Sequence, residues 1–176
     1  MIAVFLRGEL ESERFGEKLR GLLPDGVEGG DGAEMRRVLD EHRGYEAREG
    51  LFGGFPRDVS WFRAALTRDE VLDILFIDWS WWLELSGGTR RPREAARRIR
   101  AGELTPLTAD VNAEEHEPYV GSQSELIAVT TPSREQLVLL EGHVRLTAYA
   151  LFPDRVPDEL ELLLGESEAM PSWALF

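Results

Sequence analysis

The stretch Leu137-Val-Leu-Leu-Glu-Gly-His-Val-Arg-Leu-Thr-Ala-Tyr-Ala-Leu151 decides the fold of this chain. Its apolar first residues predict a short strand, and Gly142 marks a turn directly after that strand. From about His143 to Phe152 the sequence predicts a helix, which Pro153 cannot continue. A strand, a glycine turn and a helix in this order indicate a small α/β unit around which the remaining chain is arranged.

Apolar spacing and turn residues predict the other elements. Short apolar or β-branched runs predict strands at residues 2–6, 125–129, 136–140 and 160–164, the middle two joined as a hairpin. Helical spacing predicts helices at residues 11–23, 33–42, 67–86, 92–102 and 143–152. Residues 110–124 are polar and are predicted to form a long loop. Near the end, Trp173 and Phe176 are expected to pack back onto the fold.

These elements predict an α+β fold with a small mixed sheet and flanking helices. We assign residues 67–176 to the core and residues 1–66 to an N-terminal α/β extension packed on that core. The chain has 176 residues, so both parts are expected to form one compact unit.

Composition limits the classes of function. The net charge is −13, whereas a general nucleic-acid binder needs a cationic face, so nucleic acid is an unfavoured partner. Basic residues nevertheless crowd one stretch, at Arg90, Arg91, Arg93, Arg97, Arg98 and Arg100. The absence of cysteine excludes disulfides, thiolate metal sites and a cysteine nucleophile. No apolar run approaches the ~20 residues of a membrane helix, so we expect a cytoplasmic protein without membrane contact.

The turn at Glu141-Gly142 is the strongest candidate site. Glycine lets backbone amides approach a ligand, and the unpaired N–H groups at the start of a helix attract phosphate. Arg145 is predicted to pair with phosphate oxygens, and His143 to donate a hydrogen bond or move a proton. Glu141 is a candidate metal ligand or base, and Thr147 shares a helical face with His143. The alternative is an ordinary helix start with solvated polar residues, and the pattern leaves both interpretations open.

A second candidate is a loop with the composition of an anion-binding backbone nest: Ser86, Gly87, Gly88, Thr89 and Arg90. A plain connection between two helices is the favoured interpretation of this loop. The rings of Trp79, Trp81 and Trp82 are candidates for stacking on a base, but such a cluster is more often core. Of these three, Trp81 is expected to be the most exposed.

The histidines outside the turn are weaker candidates. His42 and His116 lie in polar stretches and are expected to be solvated. The run Glu114-Glu115-His116-Glu117 contains metal-binding residue types. Without a second histidine nearby, an exposed acidic loop is the favoured interpretation.

The stretch from Leu137 to Leu151 resembles the core motif of the ParB/sulfiredoxin-like superfamily. Residues 92–102 resemble the helix that precedes the central strands in ParB-like domains. The resemblance covers about residues 85–165, and residues 1–60 lie outside it. It implies a core of the ParB/sulfiredoxin-like type with an N-terminal extension.

The same resemblance implies a nucleotide or phosphate contact at the turn. Gly142, His143 and Arg145 match the phosphate-contacting motif, and Glu141 takes the acidic position of the free-serine-kinase-like members. Sulfiredoxin activity is excluded because the chain has no cysteine. DNA segregation is disfavoured because only about 25 residues follow the helix, too few for a helix-turn-helix module.

Three functions follow in order of preference. The first is a nucleotide- or phosphate-binding protein, in one version an ATP-dependent phosphotransferase or nucleotide hydrolase. In that version Mg²⁺ acts with ATP or CTP, Glu141 and His143 are catalytic, and Glu141 is the metal ligand. The second is a non-catalytic nucleotide-sensing or protein-interaction module with a protein partner or a second copy. DNA binding through the arginine-rich helix ranks lowest.

Overall fold

Four strands form one mixed sheet at the centre of the protein. The structure is a computed structural model that describes residues 1–12, 15–47, 49–121 and 125–176. Within these ranges the sheet contains β1 (Ser60–Thr67), β2 (Ile127–Thr130), β3 (Val138–Glu141) and β4 (Glu159–Glu166), in the spatial order β1-β4-β2-β3. β2 runs antiparallel to β3 and parallel to β4, and β1 pairs antiparallel with β4. The predicted α+β class and the predicted hairpin are confirmed.

Helices flank this sheet. The N-terminal helices are α1 (Ile2–Glu11), α2 (Gly16–Leu22), α3 (Gly26–Gly29) and α4 (Gly32–Arg43). The later helices are α5 (Arg68–Asp73), α6 (Ser80–Leu85), α7 (Pro92–Ala101), α8 (Ala113–His116) and α9 (His143–Leu151). Short 3₁₀ turns lie at Gly50–Phe52, Glu117–Gly121, Pro153–Arg155 and Met170–Ser172. The helices predicted at 33–42, 92–102 and 143–152 are confirmed.

Local sequence signals set several helix ends. Thr67 and Glu70 cap α5 reciprocally: the Thr67 hydroxyl accepts from the Glu70 amide, and the Glu70 carboxylate accepts from the Thr67 amide. Pro92 occupies the first turn of α7, where a missing N–H costs nothing. Gly102 ends α7 in the left-handed conformation, with φ 66°.

Both faces of the sheet are buried, each against a different set of elements. One face packs with α5, α6, α7 and α9 through Ala128, Leu139, Leu162 and Leu164. The other face packs with the N-terminal helices and the C-terminal segment through Ile127, Val129, Val138, Leu140 and Leu163. Successive strand residues point to opposite faces, so continuous apolar runs fit strands covered on both sides. Trp173 belongs to the second core, is 2% exposed, and donates from Nε1 to the Leu51 carbonyl at 2.9 Å, so it packs back as predicted.

The single helix predicted over residues 67–86 is wrong. α5 ends at Asp73, and Leu75 then bridges to the edge of β3, donating to the Leu137 carbonyl and accepting from the Leu139 amide. α6 begins only at Ser80. The pairing at Leu75 gives hydrogen-bond partners to the backbone groups of β3 at an otherwise open strand edge, which a continuous helix would leave unpaired.

The prediction for the N-terminal extension is also wrong in its elements. Residues 2–6 form the start of α1 and not a strand, with Phe5 and Leu6 fully buried against the other N-terminal helices. The predicted helix 11–23 is instead the end of α1 and, later, α2; its residues 13 and 14 lie outside the described residues. β1 was not predicted, and it carries the chain into the sheet across the proposed boundary at residue 66.

The polar segment at 110–124 contains α8 and the 3₁₀ turn Glu117–Gly121 where a loop was predicted. The Asn112 side chain accepts from the Glu115 amide at 2.9 Å, which explains why a short helix starts there. Residues 122–124 of this predicted loop lie outside the described residues.

Candidate functional site

The turn between β3 and α9 adopts the conformation that its glycine predicts. Gly142 has φ 99° and ψ 24°, a region that other residues rarely enter. A Cβ atom at this position would also collide with the Leu126 side chain. Both the backbone angles and the close packing therefore favour glycine here. The turn at Gly142 sets the direction in which α9 follows β3.

This turn lines a cleft of about 830 Å³ between the N-terminal helices and the head of α9. One wall comes from α1, α4 and the residues that follow them, and includes Gly8, Glu9, His42, Arg43 and Leu51. The opposite wall comes from the core and includes Trp79, Trp82, Glu141, Gly142, His143 and Arg145. A cleft of this size suits a small organic molecule. The sequence predicted the core wall but not the N-terminal wall.

The Glu141 carboxyl group lines the cleft and holds its proton to a higher pH than an ordinary glutamate does. Burial and the negative charge of Glu9 raise the pKa of Glu141 to about 8, although Arg43, Arg145 and a hydrogen bond from the Gly142 amide oppose this shift. The Glu141 side chain thus accepts the hydrogen bond of the Gly142 amide. A protonated carboxyl can donate a hydrogen bond, whereas a base or a metal ligand must first lose its proton.

Glu9 in α1 is one of several carboxylates that line the cleft. Its side chain is 3% exposed and accepts hydrogen bonds from Arg43 Nε at 3.0 Å and from a second Arg43 nitrogen. His42 Nε2 lies 3.3 Å from the other carboxylate oxygen. Burial raises the pKa of Glu9, but the hydrogen bonds and charges of His42 and Arg43 outweigh burial and leave this pKa below its usual value.

His143 is held as a neutral imidazole. Its ring stacks on Trp82, with centroids 4.8 Å apart and planes 24° apart, and on Phe76 at 5.9 Å. Burial and the nearby charge of Arg43 lower the pKa of His143 to about 3. Its Nε2 is buried and has no hydrogen-bond partner in the part of the chain that the structure describes. Such a nitrogen is a strong candidate to meet a ligand, because burying an unpaired polar atom is costly.

Arg145 lies beside the turn as predicted. Its side chain is 6% exposed and lines the cleft, and its Nη1 would be 3.7 Å from a Cβ atom built at Gly142. Burial lowers the pKa of Arg145, while the charges of Tyr149, Glu141 and Glu11 raise it. Arginine stays charged in proteins despite such shifts. The head of α9 therefore carries one buried cation.

Thr147 does not line the cleft. It is fully buried, and its hydroxyl donates to the His143 carbonyl at 2.9 Å, one turn back in α9. This contact satisfies the hydroxyl within the helix, so Thr147 has a structural role in place of the predicted ligand contact.

The loop from Ser86 to Arg90 is likewise separate from the cleft. The Ser86 hydroxyl donates to the Trp82 carbonyl at 2.7 Å and accepts from the Arg90 amide, and the Thr89 hydroxyl donates to the Ser86 carbonyl at 2.8 Å. Gly87 and Gly88 supply the positive φ values, 59° and 81°, that this turn needs. The structure therefore matches the plain connection that the sequence favoured.

Arg90 fastens this loop to distant parts of the chain. Its guanidinium donates to the carbonyls of Phe76 at 2.8 Å, Phe176 at 2.7 Å and Leu175 at 3.3 Å. The bond to Phe76 holds the residue that follows Leu75 at the edge of β3. The bonds to Leu175 and Phe176 hold the C-terminal segment. Arg90 is therefore engaged in the fold and does not line the cleft.

Three expectations about exposure are wrong. Trp79 is 46% exposed and Trp81 is half-buried against Trp82, the reverse of the predicted order. The side chain of His42 is 3% exposed, because its Nε2 lies 3.3 Å from the buried carboxylate of Glu9. His116 is 9% exposed, with Nδ1 2.7 Å from the Asn112 carbonyl, because α8 folds back onto α9.

Two arginines of the arginine-rich stretch pair with neighbouring carboxylates. Arg93 contacts Asp69 at 2.7 Å, and Arg97 contacts Glu94 at 2.8 Å and Glu103 at 2.6 Å. Arg100 donates to the Leu151 carbonyl. The ion pairs of Arg93 and Arg97 offset two of the six positive charges that the sequence concentrates at residues 90–100.

Among the described residues, no group of three or more histidine, aspartate or glutamate side chains is arranged to hold a metal ion. The same ranges contain no helix both long and apolar enough to cross a membrane.

No family model, no curated protein and no solved structure matches this chain. The resemblance to the ParB/sulfiredoxin-like superfamily stays a prediction from the motif at 137–151.

Proposed function

We propose that the chain binds a phosphorylated small molecule, a nucleotide in the simplest case, in the cleft at the head of α9. The observation that carries this proposal is the buried Arg145 guanidinium, which lines the cleft beside Gly142. One guanidinium group can bind two phosphate oxygens through two parallel hydrogen bonds. The first turn of a helix adds a favourable electrostatic potential for an anion.

The ionisation states of Glu141 and His143 are compatible with an anionic ligand at the turn. Glu141 is neutral below about pH 8 and His143 is neutral above about pH 3. Glu9 is paired with Arg43, so these two charges offset each other. Arg145 carries a positive charge at the turn, and the same cleft is also lined by the carboxylates of Glu11, Asp40, Glu41 and Glu49. A neutral Glu141 does not repel phosphate and can donate a hydrogen bond to it.

Glu141 can serve as a ligand of the predicted cofactor, Mg²⁺ with ATP or CTP, on the condition that it loses its proton. Mg²⁺ in nucleotide sites is held by one or two carboxylates together with phosphate oxygens, so a cluster of three protein ligands is not needed. Binding the cation would require Glu141 to release its proton. Mg²⁺ with a nucleotide should therefore release protons near pH 7, and magnesium-independent binding would assign Glu141 the hydrogen-bonding role alone.

The experiment compares Arg145→Ala and Arg145→Lys with the wild type by isothermal titration with ADP and ATP, with and without Mg²⁺. We expect Arg145→Ala to weaken binding tenfold or more, and Arg145→Lys to retain part of the affinity, because a lysine keeps the charge but not the paired geometry. Arg91→Ala is the matched control, since Arg91 is exposed and lies outside the cleft.

Unchanged affinity in Arg145→Ala, or no binding of any nucleotide or inorganic phosphate, would overturn the assignment. Release of phosphate from ATP or CTP would identify the enzyme version of the function. Binding without release would identify the nucleotide-sensing module.

A further inference from the structure

Large exposed apolar side chains are concentrated at the cleft. Among the described residues three such side chains are exposed: Trp79 at 46%, Leu107 at 57% and Val144 at 39%. Trp79 and Val144 line the cleft, and Leu107 lies elsewhere. Apolar surface left open inside a concave site is a common mark of a binding surface.

Trp79 is the residue that caps the start of α6. Its carbonyl accepts from the Leu83 amide at 2.9 Å, and the helix itself begins at Ser80. Trp82 follows one turn later on the same side of α6, as residues three apart do. The ring of Trp82 in turn stacks on His143 at the head of α9. Trp79, Trp82 and His143 therefore follow one wall of the cleft toward the predicted phosphate position.

The indole of Trp79 differs from the other rings on this wall. Trp82 contacts Phe76, Trp81 and His143, whereas Trp79 stacks on no aromatic ring in the described ranges. A large, unstacked ring beside a cleft has the geometry of a stacking platform.

We propose that Trp79 is the residue on which a planar ring of the ligand stacks, so that the ligand is a nucleoside phosphate and not a bare sugar phosphate. This inference rests on the proposed function, because it assumes that Arg145 holds the phosphate end. The ring would lie against Trp79 while the phosphate reaches along the aromatic wall to Gly142 and Arg145. Stacking of this kind accepts any base, since each base has an aromatic face.

The test measures the affinity of the full chain for ADP, GDP, CDP and UDP, and for ribose 5-phosphate, which lacks the ring. We expect Trp79→Ala to weaken binding of the preferred nucleotide about tenfold, the effect of losing one base stack. The affinity for ribose 5-phosphate should stay unchanged, and Trp79→Phe should retain most of the nucleotide affinity. Leu107→Ala is the matched control, because it removes an exposed apolar side chain outside the cleft.

The outcomes separate the two proposals. If nucleotides and ribose 5-phosphate bind equally well, or if Trp79→Ala weakens both alike, the stacking role is overturned while phosphate binding stands. If neither kind of ligand binds, both proposals are overturned, and Trp79 is left as a candidate contact for a protein. Thermal unfolding of Trp79→Ala is the folding control, and little change is expected because Trp79 is about half exposed.

Discussion

Gly8 in α1 lies against the carboxyl group of Glu141, so closely that a Cβ atom at Gly8 would stand 3.3 Å from Glu141 Oε1. The contact joins the N-terminal helices to the turn that begins α9. A segment that lies outside the motif resemblance therefore forms one wall of the candidate site.

Replacing Gly8 with a large side chain should drive α1 away from the turn. We expect Gly8→Leu to lower the free energy of unfolding by about 1–3 kcal/mol, the usual cost of overpacking. Gly21→Leu is the control, because Gly21 lies in α2 and a Cβ atom there meets nothing within 4 Å. Urea denaturation measures both variants, and an equal effect would mean that Gly8 is not tightly packed.

Gly142 should tolerate substitution less well than Gly88. Both have a positive φ, but a Cβ atom at Gly142 also collides with Leu126, whereas one at Gly88 meets nothing within 4 Å. We expect Gly88→Ala to cost about 1 kcal/mol and Gly142→Ala about 2–4 kcal/mol. The difference between the two unfolding free energies measures the packing at the turn. Equal losses would show that only backbone angles matter there.

Glu141 should make the protein less stable as the pH rises from about 4.5 to 8. In this window the unfolded chain releases the Glu141 proton while the folded protein retains it, since folding raises this pKa to about 8. The unfolded state is then favoured by at most about 1.4 kcal/mol per pH unit. Below about pH 4.5 both states hold the proton, and above 8 both have lost it.

Glu141→Gln isolates this dependence, because it removes the titrating group and keeps its shape. We expect the variant to gain stability relative to the wild type with each step from pH 5 to pH 8 in urea titrations. His143 and Glu9 titrate in both proteins and largely cancel in the comparison. Parallel stability curves would contradict the raised pKa of Glu141.

Arg90 should matter for stability and not for ligand affinity. Arg90→Ala removes the bonds to Phe76, Leu175 and Phe176, and we expect a loss of about 2–4 kcal/mol in unfolding free energy. Arg91→Ala should change it by less than about 0.5 kcal/mol, as exposed substitutions usually do. A large loss of phosphate or nucleotide affinity in a folded Arg90→Ala protein would show that the Ser86–Arg90 loop contributes to the candidate site.

Local signals were sufficient where neighbouring residues set the structure. The capping box of Thr67 and Glu70, Pro92 at the start of α7, and Gly142 between β3 and α9 each act within a few residues, and each sets the end of an element in the structure. The predictions failed where distant contacts decided. Residues 74–77 lie within the predicted helix 67–86, yet the backbone of Leu75 pairs with the edge of β3.

The candidate site divides in the same way. Glu141, His143 and Arg145 follow from one short motif, because a strand, a turn and a helix place them together. Glu9, His42 and Arg43 could not be predicted, since they reach the cleft only when α1 and α4 pack on the sheet. The sequence signal that was present is an acidic residue, Glu9, in the mostly apolar run 1–10.

The sequence by itself determined the α+β class, the strand–glycine–helix turn and the arginine beside it, because period, propensity and glycine geometry act locally. Only the tertiary structure decided the second wall of the cleft, the raised pKa of Glu141 and the structural role of Arg90. Desolvation and charge coupling depend on which distant groups folding brings together, and no local pattern specifies those neighbours.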